Sequence, residues 1–317
     1  MSQSDQHNQF YDCLIVGGGV AGLSAAIHLA WHKRKVLVLD RRSGPLFFTL
    51  TKLENVPGLP SISGVELQKN LLKQAKELGA NHHKANVIKV VGEMGSFQLE
   101  TETGEIHHAK TLLLATGVAR YHPLVNGDWQ ICLKYAAKCN MFYCPDCEAP
   151  EVAQKKTLVI STGSSVGGVS TAKHLYNFTK DLDILFTSED PEKRKLNEEH
   201  LQWLDKANIR HSEGKILEIE GKKGCVTSVH LEDGRRLDYD IYFVSSPKVP
   251  RSYLAQQLGL KLSASGHIEP KSQRGDTHVA GVWVAGDVRP MTQQVAVAMG
   301  TGNIAAVHID QVLTNWV

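Results

Sequence analysis

The stretch Asp12-Cys13-Leu14-Ile15-Val16-Gly17-Gly18-Gly19-Val20-Ala21-Gly22 decides how this chain begins to fold. The apolar run over 12–16 reads as a strand buried on both faces, and glycines 17, 19 and 22 follow it directly. A helical stretch runs to about residue 33, and a second apolar strand over 35–39 ends on Asp40. Together these make a strand–turn–helix–strand unit, the opening of a doubly wound sheet. Gly17 permits the tight turn, Gly19 lets the backbone approach a pyrophosphate, and Gly22 lets helix and sheet pack closely. Val20 and Ala21 open the helix, whose N-terminal amides face the phosphates. Asp40, with Arg41 beside it, offers a carboxylate to a ribose 2′-hydroxyl. That set suits FAD or NAD and disfavours a 2′-phosphate.

Working outward, residues 64–78 read as a helix, and the alternation over 87–99 and the apolar run 111–115 read as strands. The opening scheme then recurs. A strand over 156–160 meets a Gly/Ser-rich turn, Ser161-Thr162-Gly163-Ser164-Ser165-Val166-Gly167-Gly168, then a helix to about 178 and a strand over 183–187. Two such units imply two nucleotide-binding-type domains, or one that has lost its ligand. Near the end, 281–287 reads as a strand closing on a turn and 292–313 as one long helix. The expected fold is α/β, with two Rossmann-like three-layer domains.

The 317 residues are 42% hydrophobic and 21% charged, with a net charge of +2. That charge is too small to argue for nucleic acid or a membrane surface, and no apolar run is long enough for a bilayer span. Residues 1–10 form a polar lead-in without the order of a secretory signal, so a cytoplasmic enzyme is the default expectation.

The six cysteines are Cys13, Cys132, Cys139, Cys144, Cys147 and Cys225. The pair Cys144-Pro145-Asp146-Cys147 has the spacing of a redox dithiol, in which one thiol of lowered pKa serves disulfide exchange. Glu148 follows and stands where a general acid or base would move the thiol proton. Three other readings compete. Structural zinc needs about four ligands, and Cys132 and Cys139 lack the spacing of a second knuckle. The run Cys139-x4-Cys144-x2-Cys147 matches an iron–sulfur spacing but has only Cys132 or Cys225 for its fourth ligand. Plain buried cysteines are the third. Redox work fits best, and no metal is expected.

With these parts in order, the chain resembles the low-molecular-weight thioredoxin reductase family of flavoproteins over nearly its whole length. The resemblance rests on the N-terminal glycine motif with its acid, Leu53-Glu54-Asn55-Val56-Pro57-Gly58, Ala115-Thr116-Gly117, Phe142-Tyr143-Cys144-x-x-Cys147, Gly286-Asp287 and Gln293-Gln294-Val295-Ala296. It implies a homodimer with a split FAD domain, 1–117 and 249–317, around an inserted domain, 118–248. It implies that Asp287, after Gly286, binds the ribityl hydroxyls and that Gln294 and Val295 place amides at the flavin pyrimidine edge, where a helix N-terminus favours negative charge. Asn55, Val87, Ala115, Thr116 and Gly117 become further FAD contacts. Cys147 lies nearest the flavin, Cys144 attacks the substrate disulfide, and the inserted domain rotates to present the dithiol to thioredoxin or a similar dithiol protein.

The departures cluster in the inserted domain. NADPH-using members carry G-x-G-x-x-A and H-R-R-x-x-x-R; here Ser161 stands for the first glycine, and Thr187-Ser188-Glu189-Asp190-Pro191 follows the strand. Two carboxylates replace arginines where a 2′-phosphate would sit, with Lys193, Arg194 and Lys195 as partial compensation. NADPH is therefore not the expected donor. Ferredoxin, a second flavin held by Gly163, Ser164, Ser165, Gly167 and Gly168, and NADH remain open. Glu148 replaces the family's aspartate, and a terminal Trp316 offers an aromatic that either stacks on flavin or packs elsewhere. Two other functions stay beside the reductase: a small-molecule dithiol oxidase using oxygen, and a non-catalytic flavin-bound sensor.

Overall fold

The computed structural model describes residues 10–316. Of the expected lead-in, only Phe10 lies among the described residues, and it begins the first strand. No helix among the described residues is long and apolar enough to cross a membrane.

The chain divides into two compact units, one of residues 1–47, 65–119 and 249–317, the other of 48–64 and 120–248. The sequence-based division places 48–64 with the first unit; by contacts the segment belongs to the second. There Leu50 donates its N–H to the Ala137 carbonyl, and the short strands Lys52–Leu53 and Ile62–Ser63 pair with each other. The two connections, Val118–Arg120 and Lys248–Pro250, are themselves a paired two-stranded sheet.

In the first unit the strands run in the order Asn81–His83, Val36–Leu39, Phe10–Val16, Ile106–Leu114, Phe97–Thr101 and Val87–Val91, with Val282–Val284 also on Ile106–Leu114. Phe10–Val16, Val36–Leu39 and Asn81–His83 pair in parallel, as does Ile106–Leu114 with Phe10–Val16. Covered on both faces, these strands need near-continuous apolar runs, and Val36–Leu39 is buried throughout. Val282–Val284 also pairs in parallel with Ile106–Leu114, while Ile106–Leu114, Phe97–Thr101 and Val87–Val91 form an antiparallel meander. Phe97, Leu99, Leu14 and Leu112 are among the fully buried core residues.

Helix Val20–Trp31 packs against the long helix Val295–Thr314 with little space between backbones. A Cβ on Gly302 would meet the Ala21 carbonyl oxygen at 2.1 Å, so only glycine allows that approach. Ser24 also donates to the Met299 carbonyl at 2.9 Å.

The second unit holds an all-parallel sheet ordered Met141–Phe142, Ile241–Ser245, Thr157–Ser161, Leu182–Phe186 and Arg210–Glu213. Helix Ser165–Leu175 packs on it. An antiparallel sheet of Ile216–Lys222, Cys225–Leu231 and Arg236–Leu237 is an addition that the sequence reading left unassigned. Its inward residues Ile219, Val226 and Val229 join Tyr242 and Leu158 in one core cluster.

Candidate active site: a dithiol and two glycine turns

In the first turn, Gly17 has φ +107°, and a Cβ there would meet the Ala115 carbonyl oxygen at 2.2 Å. A Cβ on Gly22 would meet the Gly17 carbonyl oxygen at 1.9 Å, which explains both glycines as packing requirements. Gly19 differs. It is the N-cap of helix Val20–Trp31, and a Cβ added to it meets nothing within 4 Å. The cradle is open where a phosphate would lie.

Asp40 ends the neighbouring strand with 6% exposure. Burial pushes its carboxyl up, but His82 and the amides of Arg42 and Gly18 outweigh that and hold it below the usual carboxylate range. His82 Nε2 stands 3.8 Å from Oδ2, an attraction of charge more than a hydrogen bond. Oδ2 is buried without a hydrogen-bond partner, as is Gln68 Oε1, whose Nε2 donates to the Gly18 carbonyl. An ionised, buried acceptor beside an open glycine turn fits the ribose end of a dinucleotide. Arg41 is exposed, with Nε donating to Ser43 Oγ at 2.6 Å.

Gly286 (φ +74°) and Asp287 form a one-turn 3-10 helix with Val288, and the Gly286 N–H donates to Thr301 Oγ1. Arg289 follows, and sequence reasoning missed it. It is 5% exposed, its Nε and Nη1 have no hydrogen-bond partner, and burial lowers its proton affinity. A buried guanidinium with open donors calls for an anion. A cation two residues past Asp287 was the available signal. Gln294 caps the long helix and Val295 is its first residue. Thr116 Oγ1 donates to the Arg251 carbonyl at 2.7 Å, and Gly117 has φ +65°. Val87 is a core side chain, 5% exposed, so only its backbone can face a ligand. Trp316 packs on its own unit: its ring is 2.9 Å from where a Gly95 Cβ would stand.

Cys144 and Cys147 form a disulfide, with Cα atoms 5.2 Å apart. Cys144 is the N-cap of the one-turn helix Pro145–Glu148, where Pro145 takes the first helical position without losing a bond. Cys144 is 8% exposed and Cys147 half-buried, the reverse of what an attacking Cys144 leads one to expect. Glu148 Oε2 accepts from the amides of Tyr143 and Cys144, each at 2.9 Å. Burial pushes its carboxyl up, against the pull of those amides and of Arg120. Glu148 is thus first a brace for the turn that carries the dithiol. Arg120 Nη1 donates to the Tyr143 carbonyl at 2.8 Å, and the Tyr143 hydroxyl lies 2.8 Å from His122 Nδ1. Asn55 stands with this group: its Nδ2 donates to the Asp146 carbonyl at 3.3 Å. These neighbours were invisible in the sequence because the strand and loops that bring them together are far apart in it.

Cys139 is bonded to Cys225, 86 residues away, which removes it from any zinc or iron–sulfur ligand set with Cys144 and Cys147. Cys13 and Cys132 are buried free thiols pushed up to about 12, by burial above all. Cys132 donates to the Pro123 carbonyl.

The second turn has a different interior. Ser161 is the last residue of its strand and Ser164 is the N-cap of helix Ser165–Leu175. Counted from strand end to helix start, Thr162 and Ser164 occupy the places of Gly17 and Gly19, so serine 161 does not stand for the first motif glycine. The Ser164 hydroxyl accepts from the Gly167 amide at 3.3 Å, satisfying the helix end from within. Ser161 Oγ donates to the Ser164 carbonyl, and a Cβ on Gly163 would meet Pro247 Cγ at 2.9 Å. A Cβ on Gly168 would meet Ser161 Cβ at 2.7 Å. Ser165 Oγ donates to the Lys195 carbonyl at 2.5 Å. Asp190 caps the short helix Pro191–Arg194, and Arg194 pairs with Glu213 at 3.0 Å.

The sequence matches the family model described as pyridine nucleotide-disulphide oxidoreductase over residues 11–302. It is 26% identical over 309 residues to the thioredoxin reductase of Bacillus subtilis, covering 94% of this chain and 93% of that protein. It is also 26% identical over 300 residues to a B. subtilis NADH dehydrogenase, covering 93% of this chain but 57% of that protein. The thioredoxin reductase of Streptococcus pyogenes superposes with a TM-score of 0.83 at 23% identity, over 98% of this chain and 100% of that one, a likeness of fold.

Proposed function

The chain belongs to the pyridine nucleotide-disulphide oxidoreductase family, and from that premise we propose that it is an FAD-dependent enzyme reducing the disulfide of thioredoxin or a similar dithiol protein through Cys144 and Cys147. The observation that carries the reading is the Cys144–Cys147 disulfide, formed across the first turn of a helix whose entry is braced by Glu148.

FAD fits the residues of the first unit: the open space at Gly19, the available Asp40 oxygen and the buried Arg289. Asp40 holds the ribose, Val20 and Ala21 the pyrophosphate, Asp287 the ribityl chain, and Gln294 and Val295 the pyrimidine edge. The chemistry FAD supplies when bound is two-electron exchange with the cysteine pair. From the dithiol form, the Cys144 thiolate attacks one sulfur of the partner's disulfide. The other partner sulfur leaves as a thiolate and takes a proton. Cys147 then attacks Cys144 Sγ, restoring the internal disulfide and freeing the second partner thiol. Glu148, its proton affinity raised by burial, is the acid–base group next to the pair in sequence and the acceptor of the Cys144 amide.

The electron donor in this reading is not NADPH. Ser164 closes the second helix end and Asp190 and Glu189 carry the wrong charge, which leaves ferredoxin, a second flavin or NADH. A cytoplasmic homodimer completes the proposal. The test uses single variants with oxidised thioredoxin. Cys147→Ser is expected to accumulate a mixed disulfide through Cys144, seen as a reducible adduct by mass. An adduct only with Cys144→Ser exchanges the two roles; no adduct with either variant refutes exchange at this pair.

A further inference from the structure

Away from the dithiol and both glycine turns, two separate segments of the first unit bring His83, Glu105 and His107 together. His83 ends strand Asn81–His83, Glu105 closes the turn after strand Phe97–Thr101, and His107 is the second residue of strand Ile106–Leu114. One ligand-capable atom from each lies within 4.8 Å of the others. His83 Nε2 is 2.7 Å from Glu105 Oε2, and the two imidazole centroids are 6.0 Å apart.

The backbone around them is fixed. The Asp40 N–H donates to the His83 carbonyl at 3.0 Å. Thr101 and Glu105 are tied both ways, through Thr101 N–H to the Glu105 carbonyl at 2.9 Å and Glu105 N–H to Thr101 Oγ1 at 3.1 Å. Thr103 Oγ1 also donates to Glu105 Oε2. The side chains grade from buried to open, with His107 8% exposed and the side chains of Glu105 and His83 28% and 41% exposed.

We propose that His83, Glu105 and His107 form a binding site for a divalent metal ion of the zinc class, with three protein ligands and water in the fourth, solvent-facing position. Two imidazoles and one carboxylate suit Zn²⁺ and its neighbours and not Mg²⁺ or Ca²⁺, which take oxygen ligands. With bonds of about 2.0–2.1 Å, tetrahedral ligand atoms stand roughly 3.3 Å apart, so binding opens the His83–Glu105 contact slightly and draws His107 in.

The test uses the purified, air-oxidised flavoprotein, in which the Cys144–Cys147 and Cys139–Cys225 sulfurs are occupied as disulfides. Zn²⁺ is titrated in competition with a chromophoric chelator, and Co²⁺ is followed by its visible d–d bands. The expected result is one Zn²⁺ per chain, Co²⁺ bands of tetrahedral intensity, and a loss of affinity on the order of 100-fold in His83→Ala and in Glu105→Gln. Glu105→Gln keeps the shape of the side chain, and both positions are partly exposed, so circular dichroism is expected to match the parent even if His107→Ala misfolds. Zinc uptake absent from the parent, or unchanged in the folded His83→Ala, Glu105→Gln double variant, overturns the site.

Discussion

The two strand–turn–helix units of this chain start from the same plan and differ in what fills the turn. At the first, the helix N-cap is Gly19, open space lies beyond it, and the buried Asp40 Oδ2 has no hydrogen-bond partner. At the second, the N-cap is Ser164, which accepts from Gly167 itself, while Gly163 faces Pro247. One helix end has no side-chain cap and the other has its own acceptor, the Ser164 hydroxyl, on one of its amides. A glycine-rich turn is thus a ligand site only when its donors remain unspent.

The sharpest way to break this contrast is Gly19→Val. Since an added Cβ meets no protein atom, the chain should fold and melt like the flavin-free parent while flavin content on purification falls to near zero. Retention of stoichiometric flavin would contradict the open-cradle reading. The second turn is probed with NADPH. Losing two arginine contacts of about 1.5–3 kcal/mol each weakens binding by roughly two orders of magnitude or more. Micromolar NADPH should therefore bleach the flavin slowly or not at all without oxygen, and bleaching within seconds would reverse the conclusion.

Arg289→Met gives a smaller effect with two signs. Flavin affinity should fall by about 10–100-fold, for loss of one charge-assisted bond of about 1.5–3 kcal/mol. The flavin-free protein should be no less stable, because an uncompensated buried charge is removed. Joint loss of flavin affinity and apoprotein stability would mean that Arg289 serves the fold alone.

Much of this architecture was legible in the sequence because it rests on local signals. The strands 12–16 and 156–160, the turn at Gly17 and the long terminal helix all carry their own periodicity or punctuation. The segment 48–64 was not, since its place in the second unit follows from pairing with Ala137, far along the chain. Nor was the alignment of the second turn, where one strand residue decides whether Ser161 or Thr162 opens the loop. Cys139 and Cys225 show the same limit: spacing made Cys139 a neighbour of Cys144, whereas folding gave it a partner 86 residues away.

Glu148 yields the smallest effect. Glu148→Gln keeps an acceptor for the amides of Tyr143 and Cys144, whereas Glu148→Ala leaves both buried amides unmet at a cost of about 1–3 kcal/mol. Since the folded carboxyl lies above its ordinary 4.5, its contribution to stability is full below that pH and declines as pH rises through the folded value. Denaturant melts of the parent and Glu148→Gln should therefore diverge in favour of the variant as pH rises from 4.5. Parallel curves would place the carboxyl at its ordinary value.

The most direct measurement is differential alkylation with peptide mass analysis after anaerobic delivery of two electrons per flavin beyond those that bleach it. The account predicts that Cys144 and Cys147 become alkylated together while Cys139 and Cys225 stay bonded. A bleached flavin with the Cys144–Cys147 disulfide intact would contradict it.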